Sequence, residues 1–367
     1  MEYKYRKDKV VAVIELSSSA IKSIGYMPMW YNPKPEKIYN SMFNDLLTIS
    51  NNWFDKGNQQ IDRDKFKQDI LPAIVTVFNK VRRENMPQFI KIVATGYYRK
   101  AKNSTIIIKL IENELQRLIF NKKKYSNFKN NIKIHVLSAH EESRYGYLSF
   151  IRTLRRKEKT TFKSLFKDKT GLHIDVGSAT TEISVFYNED FTKTISILIE
   201  LNTFIDLYEE DEKKYFIHGD YYNDIDREKL QEWISNIHFI IQSHIEKELK
   251  GIFDPDTINN LCVSTGISNI NHEKQDTIKT ELNTYDYFCT LKQELEINIE
   301  RLAFGSKIKG KNSIDIYFNK LIKKYLKYII LDTIYKYFSI KYFYFNLANL
   351  RIGIYHELIR ELRETYK

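Results

Sequence analysis

One stretch near the middle of the chain, residues 171–186, restricts the fold more than any other. Its sequence, GLHIDVGSATTEISVF, predicts two short strands at 172–176 and 182–186 joined by a turn of small residues. Backbone N–H groups and hydroxyls in such a turn can approach an anion closely. The candidate phosphate-binding residues of this turn are Gly177, Ser178, Ala179, Thr180 and Thr181. Asp175 and Glu182 flank it as candidate ligands of a divalent cation, although an ordinary β-hairpin with a polar turn would show the same pattern.

A weaker copy of this pattern lies near the N-terminus, at residues 10–26. A run of β-branched residues at 9–15 predicts a buried strand that ends in Glu15, and 21–26 predicts the returning strand. The small hydroxyl residues between them are Ser17, Ser18 and Ser19, and Lys22 follows. Two such hairpins facing each other would bind phosphate from both sides of a cleft, whereas either one alone is a weak signal.

Strands and helices alternate along the whole chain, which favours an α/β architecture. Helical spacing of apolar residues predicts helices at 62–84, 98–120, 139–152, 227–249, 314–338 and 350–366. Apolar runs predict further strands at 89–95, 130–137, 192–200, 260–265 and 340–345. Residues 30–60 show no clear periodicity, and 270–312 predict helices without definite ends.

Composition narrows the class of protein. A chain of 367 residues favours two domains. Two cysteines, Cys262 and Cys289, exclude a disulfide framework or a zinc cluster, and no run approaches the roughly 20 apolar residues of a membrane span. The charged N-terminus lacks the features of a leader peptide, so we expect a soluble cytoplasmic protein with no membrane partner. The net charge of +11 attracts polyanions, although lysine-rich usage is also typical of an AT-rich genome.

Six separated segments carry a family resemblance. They are 13–22 (VIELSSSAIK), 93–103 (VATGYYRKAKN), 136–148 (VLSAHEESRYGYL), 175–182 (DVGSATTE), 264–266 (STG) and 350–355 (LRIGIY). Their order and spacing resemble the exopolyphosphatase/guanosine pentaphosphate phosphatase (Ppx/GppA) family of the actin-like, sugar-kinase-like ATPase superfamily. The resemblance implies two actin-like (ribonuclease H-like) domains, with mixed sheets flanked by helices and a cleft between them. The implied domain I comprises 1–130 and the terminal helix in 349–367; domain II comprises 131–348 with helical insertions.

The resemblance also implies an activity, which is metal-dependent release of a terminal phosphate from inorganic polyphosphate or guanosine pentaphosphate. Glu142 would be the base that activates water in the interdomain cleft, and Arg99 would contact a phosphate. Glu141 beside it is the less favoured base. Without the resemblance, the pair Glu141 and Glu142 in a helix's first turn would be explained as a response to the helix dipole. Mg²⁺ or Mn²⁺ would be the cofactor, with Asp175, Glu182 and Glu15 as ligands. The late glycine turn would add Gly266 to the phosphate-binding residues.

Several positions depart from the family pattern. Glu15 replaces an aspartate, and Ser17 replaces a glycine, which would strain the backbone by about 1 kcal/mol or more if that position needs a positive φ. Ser19 and Ala20 replace phosphate donors, while two glycines of the second turn are replaced at 178 and 179.

These departures leave two hypotheses open. One is a phosphohydrolase acting on polyphosphate or a phosphorylated guanosine nucleotide. The other is a weak or inactive relative that binds such a ligand as a sensor or regulatory protein. Nucleic-acid binding has only the lysine clusters in its favour, without a recognised motif, and the sequence leaves a homodimer open.

Overall fold

The computed structural model describes residues 11–26, 43–49, 52–55, 57–85, 89–120, 132–157, 169–177, 180–187, 190–199, 201, 227–252, 254, 258, 261–265, 282–305, 311–345 and 350–365. The chain divides into two compact units. Unit 1 comprises residues 1–152 and 349–367, and unit 2 comprises 153–348.

The strands are β1 (Val11–Leu16), β2 (Ala20–Tyr26), β3 (Phe43–Thr48), β4 (Phe54–Asp55), β5 (Gln60–Ile61), β6 (Phe89–Ala94), β7 (Ile134–Val136), β8 (Thr170–Val176), β9 (Thr180–Tyr187), β10 (Asp190–Leu198), β11 (Leu261–Thr265), β12 (Leu282–Thr284) and β13 (Tyr342–Phe345). The helices are α1 (Arg63–Lys65), α2 (Leu71–Asn85), α3 (Tyr97–Lys100), α4 (Ser104–Phe120), α5 (Ala139–Lys157), α6 (Arg227–Leu249), α7 (Tyr285–Gly305), α8 (Lys311–Tyr337) and α9 (Leu350–Thr365). A π-helical turn, Phe66–Ile70, joins α1 to α2.

Unit 1 contains a five-stranded mixed sheet in the order β3-β2-β1-β6-β7. β1 lies at its centre with all six residues buried, because the sequence VAVIEL offers β-branched side chains to both faces. β1 pairs antiparallel with β2 and parallel with β6, and β6 continues in parallel to β7. The amphipathic helix α2 packs on β1 and β2, and α9 packs on β1.

Unit 2 contains a six-stranded mixed sheet in the order β10-β9-β8-β11-β13-β12. Its first five strands repeat the pattern of unit 1: an antiparallel meander, β8-β9-β10, and then parallel strands, β11 and β13. β12 adds an antiparallel edge. The core of this unit joins the sheet to α6, α7 and α8 through isoleucine and aromatic side chains. The duplicated mixed sheets flanked by helices confirm the predicted α/β class.

The structure differs from the sequence-based expectations in several places. The helix predicted at 98–120 is broken into α3 and α4, because residues 101–103 form a turn. The first unit extends to Arg152, past the predicted boundary at 130/131, since β7 pairs with β6 and belongs to the first sheet. The strands β3, β4, β5 and β12 were not predicted, and all four lie in stretches without clear periodicity.

Within the part of the chain that the structure describes, no helix combines the length and the apolar character needed to cross a membrane.

Candidate functional site

The two predicted hairpins form, and they have matching registers. In unit 1, Glu15 lies opposite Lys22 across β1 and β2. In unit 2, Asp175 lies opposite Glu182 across β8 and β9. The same backbone hydrogen bond closes both turns, from Ser17 N to Ala20 O and from Gly177 N to Thr180 O, each at 2.9 Å. The sequence repeat is therefore a structural repeat, with an offset of 160 residues at each matched position.

The first hairpin holds its carboxylate between two cations. Lys22 Nζ lies 2.6 Å from Glu15 Oε1, and Arg351 Nε of α9 lies 3.6 Å from Glu15 Oε2. Arg351 also donates to Ser23 O at 3.1 Å. Glu15 is only 3% exposed, and the two cations offset the free-energy cost of removing its charge from water. A carboxylate neutralised on both oxygens is poorly suited to the metal-ligand role predicted for Glu15. Lys22, which was predicted to bind phosphate, is engaged in the same ion pair.

The serines of the first turn make contacts within unit 1. Ser17 Oγ donates to Ala20 O at 2.8 Å, and Ser18 Oγ accepts a hydrogen bond from Tyr97 N at 2.9 Å. Ser19 O accepts from Ile49 N at 3.0 Å. Among the described residues, the only non-glycine residues with positive φ are Gln59 and Ser339. The expected strain at Ser17 is therefore absent, because this turn does not need a left-handed residue there.

The second hairpin places two carboxylates side by side. Asp175 and Glu182 are direct cross-strand neighbours, so their side chains lie on one face of the sheet. Ser196 on β10 lies beside Glu182 and donates to its Oε1 at 3.0 Å. Thr180 and Thr181 are buried. The predicted phosphate-binding residues Ser178, Ala179 and Gly266 lie outside the described residues.

A divalent cation fits this second hairpin better than the first. Two acidic side chains supply hard oxygen donors, which Mg²⁺ and Mn²⁺ prefer. Among the residues that the structure describes, no three His, Cys, Asp or Glu side chains converge as a ligand group. Mg²⁺ characteristically keeps several waters and takes one or two carboxylates together with substrate phosphates, so a pair suffices.

The predicted base and the predicted phosphate contact meet in unit 1. Arg99 Nη1 lies 2.5 Å from Glu142 Oε2, and the same nitrogen donates to Leu137 O at 3.3 Å. The side chains are 14% and 12% exposed, so the pair is largely shielded but reachable from solvent. These residues are 43 positions apart and lie on α3 and α5, and no sequence pattern predicts their contact.

The structure separates Glu141 from Glu142. Glu141 forms a capping box with Ser138 at the start of α5: its Oε2 accepts from Ser138 N and Oγ, both at 2.9 Å, while Ser138 Oγ accepts from Glu141 N at 3.1 Å. His135 Nε2 lies 2.8 Å from the other oxygen. Burial alone would raise the pKa of Glu141, but the hydrogen bonds from Ser138 and His135 outweigh it and lower that pKa. Glu141 therefore stabilises the helix start.

An aromatic cluster fixes the short helix that carries Arg99. Tyr97 stacks on Phe54 with ring centroids 4.3 Å apart, and Trp53 packs edge-on against Tyr97 and tilted against Tyr98. Trp53 and Tyr98 are fully buried. Because α3 has only four residues, these contacts rather than helix propensity hold it in place.

Two positioning residues were missed by the sequence reasoning. Gly96 begins α3 with φ = +58°, and a Cβ there would lie 2.1 Å from Ser18 Oγ. Asn103 ends the turn after α3; its amide accepts from Ile61 N at 2.9 Å and donates to Ile61 O at 2.8 Å. Both residues belong to the 93–103 motif. The motif alone could not show their roles, because the residues they contact, Ser18 and Ile61, lie outside it.

The duplicated order of three antiparallel and two parallel strands defines an actin-like ATPase fold. A Ppx/GppA family member from Aquifex aeolicus matches with a TM-score of 0.62 at 16% identity, covering 96% of this chain and 98% of that one. An exopolyphosphatase from Cytophaga hutchinsonii matches with a TM-score of 0.63 at 12% identity, with the same coverage. At these identities the likeness shows the fold alone.

A comparison of the sequence with protein-family models matches one part of the chain. Residues 58–213 match the model of the Ppx/GppA phosphatase family. A comparison with curated proteins gave no match. This stretch of the chain is therefore similar to the Ppx/GppA phosphatases, and the resemblance predicted from the six motifs is confirmed.

Proposed function

We propose that this protein is a metal-dependent phosphohydrolase that releases a terminal phosphate from inorganic polyphosphate or guanosine pentaphosphate, with water activated by Glu142. The Arg99–Glu142 contact carries the proposal. It brings a carboxylate acceptor beside a guanidinium, the two groups that hydrolysis of a phosphoanhydride needs for the water and for the phosphoryl oxygens.

The contact also gives a sequence of events. A phosphate entering the site would compete for Arg99, because a guanidinium binds phosphate oxygens with two parallel hydrogen bonds. Glu142 Oε2 would then give up its contact with Arg99 Nη1 and could accept a proton from water. Leu137 O, which accepts from Arg99 Nη1 at 3.3 Å, would keep the guanidinium oriented.

Asp175 and Glu182 are the residues we propose to hold Mg²⁺ or Mn²⁺, with Gly177 and its neighbours cradling phosphate. When bound, the metal would neutralise charge on the phosphate oxygens. Glu15 is left out of this ligand set because Lys22 and Arg351 already compensate its charge.

The first experiment measures phosphate release with Mg²⁺ or Mn²⁺ from polyphosphates of several lengths and from guanosine pentaphosphate. Glu142→Gln should lower turnover by about 10²- to 10⁴-fold, the usual contribution of general-base catalysis. Glu141→Gln is a closely matched control, since it makes the same chemical change one residue away. It should lower thermal stability through the capping box and leave most of the turnover.

Two results would contradict the proposal: full activity in Glu142→Gln, or loss of activity in Glu141→Gln alone with the fold retained. Either would remove the reason for assigning the base to Glu142.

A specific observation favours the second candidate, a weak or inactive relative that binds nucleotide or polyphosphate. The first phosphate turn is occupied by its own contacts, with Glu15 bound to Lys22 and Ser18 bound to Tyr97 N. If no substrate yields phosphate but the same compounds still bind, this second function replaces the first.

A further inference from the structure

A lysine of unit 2 reaches the candidate phosphate turn from a distant part of the sequence. Lys327 Nζ, on α8, donates to Val176 O at 2.8 Å. Val176 stands directly between Asp175 and Gly177, so the ammonium group is at the point where β8 enters the turn. It lies 151 residues from its partner, and none of the six family motifs includes it.

A second lysine lies one helical turn earlier on the same helix. Residues three apart on a helix share a face, so Lys324 and Lys327 point to the same side of α8. Lys324 is half-buried, and no hydrogen bond or ion pair accompanies it among the described residues. Burial lowers the pKa of Lys324 from its usual value. An ammonium that loses water without gaining a partner costs free energy, and a bound anion would offset that cost.

Two carboxylates flank the turn. Asp175 and Glu182 face each other across the hairpin, and a phosphate chain would add further negative charge. Cations beside the turn would compensate for both. An ammonium has three N–H donors, so the bond from Lys327 to Val176 O is compatible with a further bond to a phosphate oxygen.

We propose that Lys324 and Lys327 form an anion-binding site on α8 that takes the inner phosphates of a linear inorganic polyphosphate entering the Gly177 turn. Lysines act as point charges without a fixed bonding geometry, so they suit a repeating phosphate chain better than a guanine base. The inference rests on the proposed function for the nature of the ligand. It adds that the preferred substrate is the phosphate chain rather than the guanosine nucleotide.

The test is a titration with linear inorganic polyphosphate, by calorimetry, with a chelator present so that metal-dependent turnover does not interfere. Lys324→Met and Lys327→Met should each raise the Kd severalfold. Each should also reduce the salt dependence of log Kd, by roughly 0.7 per lysine if the chain behaves as a single-stranded polyanion. The affinity for guanosine pentaphosphate should change less.

Three controls make the outcome decisive. Lys109→Met removes an exposed lysine from α4 in unit 1 and should leave the Kd and its salt slope unchanged. Lys327→Arg keeps the charge and should retain tight binding. Lys324→Met breaks no described hydrogen bond, so it tests the site even if Lys327→Met folds poorly.

Unchanged affinity and salt slope in the folded Lys324→Met protein would overturn the proposed two-lysine site, and the same result in a folded Lys327→Met protein would leave Lys327 a structural contact only. Because binding is measured without hydrolysis, this result is independent of whether Glu142→Gln abolishes turnover.

Discussion

At the scale of single residues, the two hairpins share one backbone design and differ in charge. The position matched to Glu182 in unit 2 is Lys22 in unit 1, so the first hairpin holds an ion pair where the second holds two carboxylates. The glutamate at position 15 is one methylene longer than the aspartate at 175, and it spans the gap to Lys22 Nζ at 2.6 Å. The first hairpin therefore holds a carboxylate compensated by cations, whereas the second places two carboxylates at the matching positions.

Gly177 is the residue whose substitution should most disturb the second turn. A Cβ at this position would lie 2.8 Å from Thr180 O, a backbone atom that also accepts the bond closing the turn. We expect Gly177→Ala to destabilise unit 2 by about 1–3 kcal/mol, as overpacking usually does. Urea unfolding followed by fluorescence would measure it.

Ser17→Ala provides the comparison, because the matched turn already carries a Cβ. It loses only the hydrogen bond from Ser17 Oγ to Ala20 O, worth about 0.5–1.5 kcal/mol. If Gly177→Ala unfolds at the same urea concentration as the wild type, the close approach to Thr180 O does not constrain this turn.

Residue types were easier to predict than residue contacts. The motifs identified Glu142, Arg99, Asp175 and Glu182 because each stands at a fixed offset within a short segment. They could not show that Arg99 contacts Glu142, that Arg351 contacts Glu15, or that Ser18 contacts Tyr97. These contacts join segments 43, 336 and 79 residues apart, and only the tertiary fold brings them together.

At the scale of elements, periodicity predicted the long helices well and failed where a distant contact determines the chain's path. The helix α6 begins and ends at the predicted residues. The predicted helix 98–120 is interrupted because Asn103 bonds to both backbone groups of Ile61. In unit 2, Asp332 links three helices: it accepts from Lys292 and Tyr285 on α7 and lies 3.7 Å from His238 on α6.

The packing of α9 on α5 depends on one small residue. A Cβ at Gly353 would lie 1.9 Å from Tyr145 O, so the two helix backbones nearly touch there. We expect Gly353→Ala to destabilise unit 1 by about 1–3 kcal/mol or more, even though alanine favours a helix by about 1 kcal/mol over glycine. A fall in the thermal unfolding midpoint would report it.

Gly57→Ala is the matched control for Gly353→Ala, since its added Cβ would meet its nearest neighbour at an ordinary 3.5 Å. A Gly353→Ala protein at least as stable as the control would mean that α9 can move away from α5 at little cost.

At the scale of the whole molecule, the buried titratable groups predict how stability depends on pH. Burial alone would raise the pKa of Asp332, but His238, Lys292 and Tyr285 hold it well below its usual range. A carboxylate with a lowered pKa stabilises the fold above its unfolded pKa, near 3.9, and that contribution is lost as the pH falls below it. Glu141, whose pKa is also lowered, acts in the same acidic range.

His173 should dominate at milder pH. It is fully buried on β8, and burial lowers its pKa from 6.5 to about 3. Between these values the unfolded chain binds a proton that the folded chain does not, so stability rises with pH. From pH 7 to pH 5 the wild type should lose about 2 kcal/mol of unfolding free energy, close to 1.4 kcal/mol per pH unit below 6.5.

His173→Asn removes this titration, so its unfolding free energy should stay nearly level over that interval, even if it is lower at pH 7. Urea unfolding at several pH values measures the slopes, and His140→Asn, which removes an exposed imidazole, should keep the wild-type slope. The interval above pH 5 isolates the histidine because Asp332 and Glu141 change protonation at lower pH. Parallel lines for the wild type and His173→Asn would show that the histidine already binds a proton in the folded protein, and that β8 is less shielded than its burial implies.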